Sequence, residues 1–258
     1  MKALVLSAGY GERLRPLTET IPKPLLKVAG RLLIHYPLMM LKAAGITEVA
    51  INIHHLGQQI EDALRDGSEL GLNITYSPES VLMGTGGPLL MLRNYFAGEP
   101  FVILNCDTII DLDLKQMIGF HQARGGLATM VLREGDDPDA YSRIEIDSAS
   151  QIRRMRLLKS RTRGQFTDYP ANLRDEIART LKPYMYCGVM ICEADVLSAM
   201  PPTGPFGLVA DLLVPRFGTG SKLFGFTHEG FFRTVDDLAS YEALCAEFSR
   251  SAPPVAAG

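Results

Sequence analysis

The sequence predicts an α/β protein of three layers: a mainly parallel, mixed central sheet with helices on both faces. Three observations carry that expectation. Through the first 135 residues, short apolar runs alternate with segments of helical periodicity. The first apolar run passes directly into a small-residue turn, Ser7-Ala8-Gly9-Tyr10-Gly11. The 258 residues are 47% hydrophobic and 21% charged, which supports one large domain without a disulfide or metal staple.

The elements are expected in the following order. Ala3–Ser7 is a buried strand. His35–Ala44 is a helix, with Pro37 tolerated in its first turn and Gly45 as its stop. Glu48–Ile53 is a strand, Gln58–Arg65 a helix closed by Asp66-Gly67, and Asn73–Ser77 a strand. Leu89–Tyr95 is a short helix after the Gly86-Gly87 turn, and Phe101–Leu104 a strand ending at Asn105-Cys106-Asp107. Leu114–Ala123 is a helix capped by Asp113, and Thr129–Arg133 a strand. Beyond residue 135 the pattern loosens. Ile144–Ile146, Tyr184–Ile191 and Leu223–His228 read as strands, 160–182 as a charged loop with some helix, and Leu238–Phe248 as a helix. Residues 1–250 are expected to form one domain, and the tail 251–258 to be disordered.

In such sheets ligands bind beyond the carboxyl ends of the strands. The Gly9–Arg13 loop, the Gly84–Gly87 segment and Asp107 would meet there. A strand ending in glycines presents backbone N–H groups to an anion, and Arg13 and Lys23 add fixed positive charge for phosphate oxygens. Pro22 and Pro24 stiffen the backbone that presents Lys23. The net charge of −3 gives no global pull toward nucleic acid or anionic lipid, so neither is an expected partner. No apolar stretch approaches a membrane span. The four cysteines form no C-x-x-C pair, and no secretory signal is apparent, so a cytoplasmic location is expected. The sixth position of the glycine loop is Leu14 and no acid ends the second strand, which disfavours a dinucleotide fold; no P-loop motif is present either.

The N-terminal segment resembles the signature of the sugar nucleotidyltransferases, or nucleotide-sugar pyrophosphorylases. The matching residues are Ser7-Ala8-Gly9-Tyr10-Gly11-Glu12-Arg13-Leu14, Pro16-Leu17-Thr18 and Pro22-Lys23-Pro24; Leu32 departs from a usual proline. The resemblance implies a Rossmann-like nucleotidyltransferase fold. Nucleotide would be bound by Ala8, Gly9, Gly11, Arg13 and Lys23, and by the segment Met83-Gly84-Thr85-Gly86-Gly87, with Glu79 against the base. Asn105-Cys106-Asp107 resembles the family's Asn-Gly-Asp, which makes Asp107 a ligand of Mg²⁺. Phe231-Phe232-Arg233-Thr234-Val235-Asp236 resembles its second metal motif and implies Asp236. Phe232 replaces a usual tryptophan, and Asp237 stands where threonine is usual and competes as a helix cap. Lys159 falls near a sugar-phosphate lysine, within a tripeptide that matches poorly, and Gly188 lies in a strand that would line the sugar pocket. Arg153, Arg154, Arg156, Lys159, Arg161 and Arg163 form a basic run, whose bland reading is a solvated face. Asp111 and Asp113 read as capping residues. His54-His55 is tempting as a metal pair, but adjacent strand residues point oppositely.

The resemblance implies an enzyme that converts a nucleoside triphosphate and a sugar 1-phosphate into a nucleotide sugar and diphosphate, with Mg²⁺ as cofactor and Arg13, Lys23 and Asp107 as its catalytic residues. Residues 1–135 would bind nucleotide and 136–250 the sugar phosphate. Two alternatives stay open: a non-catalytic nucleotide-sugar-binding regulator on the same fold, and transfer to a non-sugar phosphate such as phosphocholine. The base, the sugar and the oligomeric state are not readable.

Overall fold

The computed structural model describes residues 1–135, 137, 139–159, 164–250 and 253. Arg161, Arg163 and most of the expected tail lie outside them. The chain begins with β1 (Lys2–Leu6), a small hairpin of β2 (Lys27–Val28) and β3 (Arg31–Leu32), and helix α1 (His35–Ala43). Next come β4 (Glu48–Ile53), α2 (Gly57–Leu64), β5 (Asn73–Pro78), the short helices α3 (Pro88–Met91) and α4 (Arg93–Phe96), β6 (Phe101–Asn105), β7 (Thr108–Ile110) and α5 (Leu114–Arg124). The second half adds β8 (Ala128–Arg133), β9 (Arg143–Ile146), β10 (Ile152–Leu158), β11 (Phe166–Tyr169), α6 (Asp175–Ala178), β12 (Lys182–Cys192), β13 (Leu223–Thr227), β14 (Phe232–Thr234) and α7 (Leu238–Phe248).

The main sheet runs β11-β10-β9-β12-β6-β1-β4-β5, with β8 and β13 attached beyond β12. Strands β6, β1, β4 and β5 are parallel, in registers such as Val5↔Leu104 and Val5↔Ile51. β12 is antiparallel to β6, β8 and β9, so the mixed character enters with the second half. Alternation along β1 explains the layers. Ala3 and Val5 join one core with Leu38 and Leu41 of α1, Ile60 of α2 and Met117 of α5. Leu4 faces the other core with Leu89, Leu92, Phe96 and Phe101. A strand covered on both faces reads as a continuous apolar run, which is why β1 was legible.

A third cluster matters most for the site. Leu14, Leu26, Val28, Leu33 and Tyr36 pack with Ile109, Val235, Leu244 and Phe248. It joins the stretch after the glycine loop to β14 and α7, bringing the C-terminal region beside the N-terminal one. The expected helix 89–95 is instead two four-residue turns broken at Leu92, where φ is −98° and ψ 12°. The 160–182 segment, where described, contains the expected helix as α6 and adds the short strand β11.

Candidate active site

β1 ends at Leu6, and the next residue, Ser7, donates its backbone N–H to Asn52 Oδ1 at 2.8 Å. An added Cβ at Gly9 would meet nothing within 4 Å, so that backbone is open to a ligand. Gly11 is glycine for a different reason. Its φ is +64°, and a Cβ would stand 2.8 Å from Thr18 Cγ2, while the Thr18 hydroxyl donates to the Gly11 carbonyl at 2.8 Å. The loop then turns through Pro22 (φ −64°) into Lys23–Leu25. There Lys23 Nζ forms an ion pair with Asp107 Oδ2, both side chains being more than four-fifths buried.

Asp107 follows β6, so the strand end sets its position. β7 and β14 pair antiparallel, Thr108 opposite Thr234, and the Val235 N–H donates to the Asp107 carbonyl at 3.3 Å. This short ladder places Asp236 next to Asp107 along the backbone. Asp236 Oδ1 meets Arg13 Nη2 at 3.2 Å, and its Oδ2 accepts from the Thr234 hydroxyl at 2.7 Å. Asp237 turns away to cap α7, accepting from the Ser240 N–H at 2.8 Å within a capping box. Those bonds hold its carboxyl below the usual carboxylate range. Asp107 Oδ1 is buried with no hydrogen-bond partner. Beside it, burial pushes the Cys106 thiol up to about 12, so Cys106 is a protonated space-filler here. Cys187 and Cys192 are buried too, while Cys245 is only partly so.

The facing wall comes from the 79–85 loop. Glu79 is 95% buried by its 5% relative exposure, not a surface carboxylate. Its Oε1 accepts from Asn52 Nδ2 at 2.8 Å and its Oε2 from the Met83 N–H at 2.9 Å. Both oxygens are thus engaged by the protein, and Glu79 shapes the loop. Gly84 has φ +72°, and a Cβ would lie 2.6 Å from the Phe206 carbonyl oxygen; one at Gly86 would enter the Phe206 ring. These glycines let the Phe206–Leu208 stretch approach. The latch is completed by Gly86 N–H to Phe206 O at 2.9 Å, Phe206 N–H to Met83 O at 3.1 Å and Leu208 N–H to Thr85 Oγ1 at 2.9 Å. Between the walls lies a cavity of about 320 Å³, lined by Ala8, Gly9, Lys23, Asn52, Glu79, Gly84, Thr85, Asn105 and Asp107 among others.

The sugar-side expectations meet less support. Lys159 is exposed, follows the end of β10 and does not line this cavity. Gly188 (φ +75°) sits at an irregularity in β12, and a Cβ there would stand 2.7 Å from Asn105 Nδ2 and 2.9 Å from Thr108 Oγ1. Its missing side chain makes room for Asn105 and Thr108, rather than leaving open space. Two members of the basic run are neutralised across strands: Arg154 pairs with the buried Glu145 at 2.5 Å and Arg156 with Asp168 at 2.9 Å. Sequence reasoning missed Asn52, Asn105 and the Phe206–Leu208 latch. Asn105 stood in the Asn-Cys-Asp segment without a role of its own, and Asn52 carried a signal as a polar residue within the apolar run of β4.

A match to the nucleotidyl transferase family runs from residue 2 to residue 156, more than half of the chain. The chain belongs to the nucleotidyl transferase family. N-acetylmuramate alpha-1-phosphate uridylyltransferase of Neisseria meningitidis is 53% identical over 114 residues, 44% of this chain and 49% of that protein. Probable mannose-1-phosphate guanylyltransferase 3 of Oryza sativa subsp. japonica is 31% identical over 247 residues, 93% of this chain and 63% of that one. The chain therefore spans between about half and just under two thirds of the length of these relatives. In three dimensions, a Bacillus anthracis protein described as a glucose-1-phosphate thymidylyltransferase, in complex with sucrose, superposes with a TM-score of 0.79. That structure is 19% identical and covers 100% of this chain and 97% of its own, which establishes the shared nucleotidyltransferase fold. Within the family, the glycine loop and Asp107 fall inside the matched residues, whereas Asp236 lies beyond them.

Proposed function

We propose that the chain transfers a nucleotidyl group from a nucleoside triphosphate to a sugar 1-phosphate. The observation that carries this is the Lys23–Asp107 pair, set in a cavity between an open glycine loop and the 79–85 wall with Asp236 alongside. A phosphate oxygen of the sugar 1-phosphate attacks the α-phosphorus. The bond from that phosphorus to the bridging β-oxygen breaks, and the electron pair leaves with diphosphate. The nucleophile is already anionic, so positioning and charge stabilisation do the chemistry.

The N–H groups around Ala8, Gly9 and Gly11 bind phosphate oxygens. Arg13 and Lys23 neutralise the β- and γ-phosphates, exchanging part of their contact with Asp236 and Asp107 for the substrate. Thr85, Gly84 and the Glu79–Asn52 pair shape the base side. Residues 1–135 form the nucleotide-binding part and 136–250 the sugar-phosphate part of one domain, with Lys159 and the Gly188 region on the latter side. Mg²⁺ fits the donor set. Asp107 Oδ1 is a buried acceptor without a partner, and among the described residues no group of three or more His, Cys, Asp or Glu is placed to hold a metal ion by itself. Mg²⁺ typically takes one or two carboxylates and completes its shell with substrate phosphates and water. Asp107 and Asp236 would hold it, and it would supply charge neutralisation at the α-phosphate and the leaving diphosphate. No helix among the described residues is long and apolar enough to cross a membrane, and neither membrane nor nucleic acid is a proposed partner; the location we propose is cytoplasmic.

The test is a matrix of the four common nucleoside triphosphates against several sugar 1-phosphates with Mg²⁺, read by diphosphate release. One pair should turn over well above the rest. Silence across the whole matrix would defeat the reading.

A further inference from the structure

The two histidines at the end of β4 are held in a way that the chemistry above does not use. His54 Nδ1 lies 2.7 Å from the Glu79 carbonyl, and His54 Nε2 lies 3.1 Å from the Tyr10 hydroxyl. A carbonyl only accepts, so Nδ1 donates; in the neutral ring Nε2 then accepts from the Tyr10 O–H. His55 Nε2 contacts the Thr18 carbonyl at 2.8 Å, and Thr18 in turn holds Gly11. The Tyr10 ring sits against both imidazoles, at centroid distances of 5.4 and 5.5 Å. The rings do not point oppositely because both residues follow the strand rather than lie within it.

These contacts tie together two segments that border the nucleotide cavity, behind its lining. Gly9, which precedes Tyr10, lines the cavity on one wall, and Glu79 lines it on the other. His54 is hydrogen-bonded to both sides. Its own position is fixed by β4, whose Ile53 carbonyl accepts from the Glu79 N–H at 2.8 Å. We infer that Tyr10 and His54 form a strut that sets the width of the base pocket, and so positions the nucleotide and helps select its base. Tyr10 is 41% exposed, and its hydroxyl is engaged by His54 while its ring rests on both imidazoles. The inference rests on the proposed nucleotide binding, but not on turnover.

The experiment measures the dissociation constant of each of the four nucleoside triphosphates with Mg²⁺, by titration calorimetry, for the wild type, Tyr10→Phe, His54→Gln and the double variant. Tyr10→Phe keeps the ring contacts and removes only the hydroxyl. Each single change should weaken the preferred nucleotide about fivefold, the worth of one hydrogen bond, and narrow its lead over the others. The double variant should be no weaker than the weaker single one, because both remove the same contact. Thermal midpoints verify that each variant is folded, and the apparent affinity for the sugar phosphate should not change. Unchanged nucleotide preference in a folded Tyr10→Phe protein, or additive losses in the double variant, would overturn the strut. Wild-type nucleotide binding without diphosphate release would defeat the proposed activity and leave this comparison intact. No nucleotide binding by the wild type would overturn both.

Discussion

The backbone N–H of Val235 donates to the carbonyl of Asp107 across 3.3 Å. That bond ties the carboxyl end of β6 to the strand that precedes α7, and it makes Asp107 and Asp236 neighbours although more than a hundred residues separate them in the chain. Each aspartate carries a cation from the N-terminal loop, Lys23 on Asp107 and Arg13 on Asp236. The loop and the two strand ends therefore form one charge-compensated unit. Phosphate oxygens entering it would compete with the carboxylates for the same cations, and a divalent metal would restore the balance.

Asp107→Asn and Lys23→Ala are expected to lower diphosphate release about 100-fold or more, the scale seen when one preorganised charge at a reacting centre is lost. The Lys23–Asp107 pair is mostly buried, so each single change leaves a partner uncompensated and should also cost about 1–3 kcal/mol of stability. Circular dichroism and a denaturant titration separate the two effects. Turnover within a few-fold of wild type in either folded variant would remove the pair from the mechanism.

Asp236 and Asp237 are adjacent but do different jobs, and their substitutions should split accordingly. Asp236→Asn should depress turnover with little change in thermal midpoint, because its pair with Arg13 is about half exposed and such pairs contribute little. Asp237→Ala removes the cap of α7 and should cost about 1 kcal/mol, while most activity survives. The reverse pattern would reassign the second acidic position to Asp237.

The division between what the sequence revealed and what it hid follows from interaction range. Strands β1, β4 and β6 were readable because each is a near-continuous apolar run, and the glycine loop because its backbone demands appear as residue types. Asp237 was recognisable as a rival cap from its place before an apolar periodic segment. Glu79 was expected against the base, and its engagement by the protein was hidden because its partner Asn52 lies in another strand. The basic run looked unpaired because Glu145 and Asp168 sit across β-ladders from Arg154 and Arg156. The segment 83–87 was expected to bind nucleotide, and nothing in the sequence signalled that the space beside Gly84 and Gly86 is taken by Phe206, a residue far along the chain. β7 and β14 are three residues each, too short for periodicity to reveal.

Gly84→Ala tests the latch between the base-side loop and the Phe206–Leu208 stretch. The new Cβ would lie 2.6 Å from the Phe206 carbonyl oxygen at a residue with φ +72°. Backbone rather than a flexible side chain must move, so the cost should be about 2 kcal/mol or more. For a chain of this size that is a fall of about 4–8 °C in thermal midpoint. Displacing Phe206–Leu208 would also disturb the Thr85 contact, so nucleotide affinity should fall too. A variant as stable and as tightly binding as wild type would show that the latch is not rigid.

His121 should make stability fall in mild acid. It is 1% exposed on α5, with Nδ1 2.8 Å from the Thr129 hydroxyl and Glu193 Oε1 3.3 Å from Nε2. Burial lowers its proton affinity, and Glu193 offsets only part of that. The unfolded chain takes a proton near pH 6.5, where the folded one does not. Stability is therefore full above about pH 6.5 and is lost as pH falls toward the lowered folded value. The thermal midpoint of the wild type should drop between about pH 7.5 and 5.5, and His121→Gln should flatten that slope. Parallel slopes in the two proteins would assign the acid sensitivity to other groups.

Removal of metal should abolish turnover without destabilising the chain. Among the described residues the site offers two carboxylates rather than a closed set of ligands, and both already have cations or hydroxyls as partners. Such a site binds a hard cation weakly by itself and well only when triphosphate oxygens complete the shell. Mg²⁺ added alone should bind weakly in calorimetry, and much more tightly once nucleotide is present. A chelator should stop diphosphate release at once, excess Mg²⁺ should restore it, and the thermal midpoint of the nucleotide-free protein should not move, since a ligand stabilises only in proportion to its occupancy. If the chelator instead lowered that midpoint by several degrees, Asp107 and Asp236 would belong to a resident structural metal centre, and their proposed role in loading a metal together with nucleotide would be wrong.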